Sequence, residues 1–277
     1  MPLKFNTNFV NNFPPNAMAA FQRAQATWSA ALNSPQQIDV TAIWGANLPG
    51  FTAFSVPNMI ENFANAPMDN VWYPSALADA LINQDLQPND EDLTIFFAQT
   101  PNWNLGLGAP KANQLDLESI ALHELGQSLG FVGIFWATGW PWVGSYGDNQ
   151  LIGALKQLIN NSGQGQNLGF QLPSNLNGHP SVYGTHIQDV DQHYLTDPNQ
   201  YPGPYPSAQL GAQLVGGNLW FGLNPRVAVY APNPFAPFTS IEHLNVPNSL
   251  MRPHIPNGVI VRAIDPTVVN VLTALGW

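Results

Sequence analysis

The chain has 277 residues, with seven Lys and Arg against 17 Asp and Glu, and a formal net charge of −10 at pH 7. This negative charge argues against binding to nucleic acid or to an anionic membrane surface. The absence of cysteine excludes thiol catalysis, thiolate metal sites and disulfides. Hydrophobic residues make up 45% of the chain, which suffices for a folded core although only 9% of the residues are charged.

The sequence gives two indications of where the protein is found. No stretch reaches the roughly 20 apolar residues of a membrane-spanning helix. The first six residues lack the charged and apolar regions of a signal peptide, so the protein is either cytoplasmic or secreted with its leader removed. We expect an extracellular protein, because lysine is scarce whereas asparagine, proline and tryptophan are abundant.

The first elements along the chain are a helix over residues 15–32, from its helical period, and a strand over 38–44, from its alternation. The Gly-, Pro- and Asn-rich stretch 48–70 is expected to form loops. A short helix should follow over 75–83. β-Branched and aromatic residues then predict a strand at Leu93–Ala98.

The next predicted helix starts at Asp116, a natural N-cap, and is expected to end at Gly130 in a left-handed conformation. Its apolar residues recur at helical spacing and form a buried stripe: Leu117, Ile120, Ala121, Leu125 and Leu129. Residues 134–180 have the composition of an insertion or a subdomain boundary, with one amphipathic stretch over 151–159. A strand over 227–230 precedes the last helix.

The last helix begins at Asp265 and Pro266, since proline suits the first helical position. Helices and strands in this order predict an α+β fold with a small mixed β-sheet. We expect one domain, 1–277, with an N-terminal subdomain over about 1–133 and a C-terminal subdomain over about 134–277.

His123 and Glu124 lie on the central helix as a pair suited to metal-dependent hydrolysis. Zinc polarises a carbonyl and lowers the pKa of its bound water, and a nearby carboxylate takes the proton of that water. The usual motif is His-Glu-x-x-His, because residues four apart share one face of a helix. In this chain Gln127 stands at the position of the second histidine.

Residues 123–131, His-Glu-Leu-Gly-Gln-Ser-Leu-Gly-Phe, resemble the active-site helix of the zincin metallopeptidases, especially the metzincins. Residues 248–253, Asn-Ser-Leu-Met-Arg-Pro, resemble the Met-turn of that clan. Three further segments resemble a group of secreted bacterial zincin-like proteins: 230–235, 240–244 and 275–277. The resemblance extends over roughly 44–277.

The resemblance implies a zincin-like fold, with an active-site helix, a Met-turn and a C-terminal helix, and a zinc-dependent metallopeptidase activity. Glu124 would be the general base and His123 a zinc ligand. Gly133 stands where metzincins have their third ligand, so His243 of the Ser-x-x-His-Leu segment is the implied replacement. Gln127 would be a weak ligand, because a neutral carboxamide binds zinc less well than imidazole.

The implied partner is a protein or peptide substrate, which would pair with an edge strand near Leu93–Ala98. Gln127 also supports an alternative, a catalytically inactive pseudo-peptidase that serves as a binding, toxin-like or structural module. A third possibility is that Gln127 was introduced deliberately, or is a natural variant, in an otherwise intact peptidase.

A rival motif overlaps the same helix. Residues 126–130, Gly-Gln-Ser-Leu-Gly, match the Gly-x-Ser-x-Gly nucleophile elbow of serine hydrolases. That elbow needs a strand before the serine and a helix after it. The residues before Ser128 have helical spacing instead, which disfavours a serine hydrolase.

Several other residues are candidates for secondary roles. His254 follows Met251 by three residues and could replace a missing zinc ligand. A polar stretch could be a solvated loop or a structural calcium site, although its spacing differs from an EF-hand: His186, Asp189, Asp191, His193 and Asp197. Tyrosines that could stabilise an oxyanion are Tyr146, Tyr183 and Tyr230. Tryptophans that could line a substrate cleft or pack in the core are Trp136, Trp140 and Trp142.

Overall fold

The computed structural model describes residues 1–139, 143–163, 172–201 and 207–277, so Trp140 and Trp142 lie outside the described residues. The helices of this part of the chain are α1 (Pro15–Ala31), α2 (Ser75–Ile82), α3 (Leu117–Leu129), α4 (Asn149–Asn161), α5 (Ala208–Leu214) and α6 (Pro266–Leu275). Its strands are β1 (Lys4–Val10), β2 (Gln37–Ala46), β3 (Ala53–Pro57), β4 (Met59–Glu61), β5 (Trp72–Pro74), β6 (Leu93–Ala98), β7 (Trp103–Asn104), β8 (Leu115–Asp116), β9 (Phe135–Thr138), β10 (Val143–Tyr146), β11 (Ile187–Gln188), β12 (Leu219–Phe221) and β13 (Val227–Val229).

The main sheet has four strands in the order β1-β2-β6-β3. The pairs β1–β2 and β2–β6 are parallel, whereas β3 runs antiparallel to β6. The sheet is therefore mixed, as predicted. Two predictions about it are wrong: β3 lies within the stretch 48–70 that was expected to form loops, and β6 is an inner strand. The edge strands are β1 and β3, because β2 and β6 are each paired on both sides.

Helix α3 lies against α1 and below β3, in the apolar core of the protein. The indole Nε1 of Trp28 on α1 donates to the carbonyl oxygen of Leu122 at 2.9 Å. Gly126 allows a close approach on the same side, because a Cβ there would lie 2.8 Å from Met251 Sδ and 2.9 Å from Trp28 Cζ2. The glycine thus lets the buried Met251 pack directly beneath the helix.

Asp116 caps α3 as predicted, since its side chain accepts a hydrogen bond from the Ser119 amide at 3.1 Å. The prediction for the other end is wrong, because Gly130 has an extended φ of 174° instead of a left-handed one. Glycine is required there for space. A Cβ would lie 2.7 Å from Leu272 and 2.8 Å from Leu275 of the packed helix α6.

The architecture is α+β, in agreement with the sequence. The amphipathic stretch 151–159 falls within α4, and Asp265 caps α6 by accepting a hydrogen bond from the Val268 amide. Small sheets surround the main one: β9 with β10, β4 with β5, β7 with β8, and β11-β12-β13. Among the described helices, none combines the length and the apolar character needed to cross a membrane. The division into two subdomains stays a prediction.

Candidate metal centre

Two histidines from distant parts of the chain meet at the middle of α3. His123 is buried, and its Nδ1 lies 2.8 Å from the carbonyl oxygen of Leu250 in the Met-turn segment. His243 is also buried, and its Nδ1 lies 2.8 Å from the carbonyl oxygen of Thr239. Each carbonyl can only accept a hydrogen bond, so Nδ1 carries the proton in both rings. The remaining Nε2 of each histidine therefore carries a lone pair and no proton.

These two lone pairs point at each other. The Nε2 atoms of His123 and His243 lie 3.2 Å apart, and the rings are stacked with centroids 5.1 Å apart. Two imidazole nitrogens bound tetrahedrally to zinc at about 2.0–2.1 Å would be separated by about 3.3 Å. The pair therefore has the separation that a shared tetrahedral zinc ion requires.

Burial favours the neutral form of both rings, which is the form that binds metal. It lowers the pKa of His123 to about 4, against a smaller opposing effect of the hydrogen bond to Leu250. The pKa of His243 falls to about 3, first because of burial and second because of the neighbouring His123. A proton shared between the two rings is therefore disfavoured near neutral pH.

Gln127 lies one helical turn after His123 and reaches the same point. Its side-chain nitrogen lies 2.8 Å from His243 Nε2 and donates to the carbonyl oxygen of Glu242 at 3.2 Å. In this orientation the amide donates to the lone pair of His243. A half-turn of the amide would exchange its nitrogen and oxygen and present an oxygen ligand beside the two imidazoles.

Glu124 is the buried carboxyl group of the centre. Burial raises its pKa to about 7, although hydrogen bonds from the side chain and backbone of Ser55 on β3 oppose the shift. Glu242 is half-buried nearby, and its pKa is raised to about 8 by desolvation and by the charge of Glu124. Sequence reasoning missed both Ser55 and Glu242. Glu242 adjoins His243 in the chain, whereas no sequence signal singles out Ser55.

A cleft of about 450 Å³ opens onto this centre. One wall is β3 with the residues just before it, and the other comes from 236–243 and 253–255. Six of the polar residues named above line it: Ser55, His123, Glu124, Gln127, Glu242 and His243. His254 is exposed on the second wall of the cleft. Its charge contributes to the lowered pKa of both buried histidines. His254 therefore lies beside the centre, as its position after Met251 suggested.

Other candidates from the sequence lie elsewhere. None of Tyr146, Tyr183 and Tyr230 is among the described residues that line the cleft, and Tyr183 is fully buried in the core. Trp136 packs against the core and the ring of Phe235. Ser128 is fully buried inside α3, so the nucleophile-elbow alternative lacks both its strand and its exposed hydroxyl.

The polar loop around Asp189 is a second group that could hold a metal ion. Ligand atoms of Asp189, Asp191 and His193 all lie within 4.8 Å of one another. In the part of the chain described, this is the one group of three or more His, Asp or Glu side chains that is so close together. Asp189 is buried, but its oxygens already accept hydrogen bonds from the amides of Asp191 and His193 and from Tyr201 Oη. These contacts lower its pKa although burial opposes them. His186 instead stacks on Phe221.

Comparison of the chain with protein-family models, with curated proteins and with solved structures found no match. The resemblance to zincins therefore stays a prediction.

Proposed function

We propose that the protein is a secreted, zincin-like metallopeptidase that hydrolyses peptide bonds. His123 and His243 would bind zinc through Nε2, Gln127 would supply a weaker third ligand through its side-chain oxygen, and Glu124 would be the general base. The observation that carries the proposal is the pair of opposed lone pairs, 3.2 Å apart and buried. Secretion rests on composition, and the zincin fold rests on the residues around α3 and Met251.

The donor set fits zinc better than a hard cation. Two neutral imidazole nitrogens favour zinc and related transition metals, whereas calcium and magnesium take oxygen ligands. The backbone carbonyls of Leu250 and Thr239 hold the rings through Nδ1, as outer partners of zinc-binding histidines commonly do. Three protein ligands would leave one position for water, as in catalytic zinc sites.

Zinc at this position would supply a Lewis acid and a water molecule of lowered pKa. Glu124 would take a proton from that water and pass it to the leaving amine. Its burial suits this role, because a carboxyl with a pKa near neutrality can both accept and return a proton. Ser55 keeps the carboxyl against β3, on the wall where a substrate would lie.

The free edge of β3 supports a peptide as the substrate. The carbonyl of Thr52 accepts from the amide of Ala98, and the amide of Asn58 donates to the carbonyl of Asp92. Even-numbered residues of β3 thus direct their backbone groups towards β6, and by alternation the backbone groups of Ala53 and Ser55 and the carbonyl of Pro57 face away from β6. The amide of Ser55 already donates to Glu124, so the carbonyls and the amide of Ala53 remain for pairing with a substrate. A substrate in extended conformation could pair with this edge.

A specific observation favours the second candidate, an inactive pseudo-peptidase with a binding, toxin-like or structural role. In the orientation observed, the Gln127 amide donates to His243 and so occupies the lone pair that zinc would need. This hydrogen bond stabilises a centre without metal. The two candidates therefore differ in whether zinc displaces the amide of Gln127.

The test is proteolysis of an unfolded, fluorescently labelled casein by protein from which metal has been removed. We expect cleavage to appear when zinc is added and to disappear with a chelator. Absence of both zinc binding and cleavage, in the wild type and in Gln127→His, would support the pseudo-peptidase. Cleavage that persists in the chelator would contradict a zinc-dependent mechanism.

A further inference from the structure

An apolar side pocket lies next to the cleft. Its walls come from β3, from the segment after α3 and from α4: Val56, Val132, Ile134, Leu151, Ile152 and Leu155. Its free volume is about 70 Å³, compared with roughly 10–15 Å³ needed for one water molecule. Apolar walls of this kind do not bind water well, so the space is suited to an apolar group of a ligand.

The side pocket adjoins the cleft of the candidate metal centre. Phe54, Ser55, Gln127, Phe238 and Glu242 line both the pocket and the cleft. The rings of Phe54 and Phe238 meet edge to face at 5.4 Å between the two spaces. A side chain of a peptide on the free edge of β3 could therefore enter the pocket while the backbone stays in the cleft.

The direction of β3 fixes which side of the substrate would use the pocket. The cleft is lined by 50–55, and the side pocket by 54–57 and Met59, so the pocket lies towards the C-terminal end of β3. Ser55, which contacts Glu124, marks the position of bond cleavage. A peptide paired antiparallel to β3 places its N-terminal part beside the C-terminal end of the strand.

We propose that the side pocket binds one large apolar side chain of a peptide, on the acyl side of the bond next to Glu124. The position of the bond rests on the proposed function, whereas the binding of the side chain does not. Glu242 is the one ionisable group among the described residues of the pocket, and the other walls are mainly apolar, so burial of a charged glutamate side chain would be unfavourable and leucine or phenylalanine preferred.

The first experiment measures binding, which needs no catalysis. Fluorescent peptides Gly-Ser-Gly-X-Ala-Gly-Ser-Gly, with X as Leu, Lys, Glu or Gly, are titrated with zinc-treated protein. We expect the Leu peptide to bind about 30-fold more tightly than the Gly peptide, the effect of burying one such side chain. Equal binding of all four peptides, or preference for Lys, would overturn the proposal.

Two variants of α4 separate pocket binding from general effects. Leu155→Trp should fill the pocket and remove the preference for Leu, whereas Gln157→Trp adds the same indole at an exposed position of the helix and should keep it. Leu155→Ala should enlarge the pocket and shift the preference from Leu to Trp. An equal loss in Leu155→Trp and Gln157→Trp would contradict the assignment.

The orientation is tested separately. A photoreactive diazirine is placed at the N-terminus or the C-terminus of the Leu peptide, and the crosslinked residues are identified by mass spectrometry. We expect the C-terminal label to react with residues 253–255 and the N-terminal label to react near Met59 or α4. The reverse pattern would overturn the acyl-side assignment. If cleavage occurs, the cut should follow X along the peptide, with X always on the acyl side.

Discussion

Two regions of this protein gather metal-binding residue types, and they differ in what their ligand atoms already do. At the candidate metal centre, the protonated Nδ1 of His123 and of His243 is bound to a carbonyl oxygen. His123 Nε2 faces His243 Nε2 and has no hydrogen-bond donor among the described residues, whereas His243 Nε2 accepts from the amide of Gln127. In the Asp189 loop, the carboxylate oxygens accept hydrogen bonds from backbone amides and from Tyr201. Asp191 and His193 are exposed there.

The difference shows that residue types near one another are a weaker sign of a metal than unsatisfied ligand atoms. A buried acceptor without a donor costs free energy, which a cation can recover. The carboxylate of Asp189 has its donors already and needs no cation to be stable. Calcium in that loop therefore stays a prediction from the sequence, whereas the histidine pair carries a physical argument for zinc.

The largest effect is expected from Glu124→Gln, which tests whether the histidine pair belongs to an active enzyme. The variant keeps the size and hydrogen bonds of the side chain but cannot accept the proton of water. We expect kcat/KM to fall about 10²- to 10⁴-fold while bound zinc is unchanged. The measurement is casein cleavage with zinc content determined in parallel. Unchanged cleavage would exclude Glu124 as the base.

The next effect concerns Gln127→His, which replaces the weak ligand of the centre by a strong one. We expect zinc affinity to rise at least about 10- to 100-fold, since changes further from a metal already have effects of that size. A competitive titration with a zinc-binding dye measures it. His254→Gln, on the cleft wall, serves as the comparison and should leave zinc affinity unchanged. A loss of affinity in that variant would identify His254 as a ligand.

A smaller effect is expected in the other region. Asp189→Ala should remove the hydrogen bonds of the loop and lower the free energy of unfolding by about 1–3 kcal/mol. The zinc content should not change. Urea unfolding with and without calcium measures the first quantity. Stabilisation of the wild type by calcium, absent in Asp189→Ala, would show that the loop is a metal site after all.

The smallest effect concerns Asp79, a buried carboxyl outside both regions. Burial raises its pKa to about 7, and Asp92 and Asp85 add to the shift, against the hydrogen bond from the Leu86 amide. The native state thus holds this proton to a higher pH than the unfolded chain, and the free energy of unfolding should fall as pH rises from about 4 to 7. Asp79→Asn should reduce that decline, whereas the exposed Asp69→Asn should leave it unchanged.

Much of the frame around the centre could be predicted from the sequence. The period of α3, its Asp116 cap and the proline at the start of α6 depend on local residues, and the structure has them as expected. β3 could not be predicted, because the five residues Ala53–Pro57 form a strand only through pairing with the distant β6. Pairing across the chain leaves no local pattern.

The centre itself was predicted in part. His123 and Glu124 follow from the spacing on one helix, and His243 follows from the resemblance; the structure brings all three to one cleft. Ser55 and Glu242 were not predicted, because their proximity to Glu124 arises only when β3 and the segment before the Met-turn fold over α3. The orientation of Gln127 depends on the same packing.

Zinc stoichiometry tests the central claim most directly. Metal-free protein is incubated with zinc, dialysed and analysed for bound metal, beside His243→Ala and a control outside the centre, His179→Ala, whose ring pairs with Glu61. The account predicts about one zinc per chain in the wild type and the control, and almost none in His243→Ala. Less than roughly a tenth of an equivalent in the wild type would contradict it, because the opposed lone pairs would then exist without a metal.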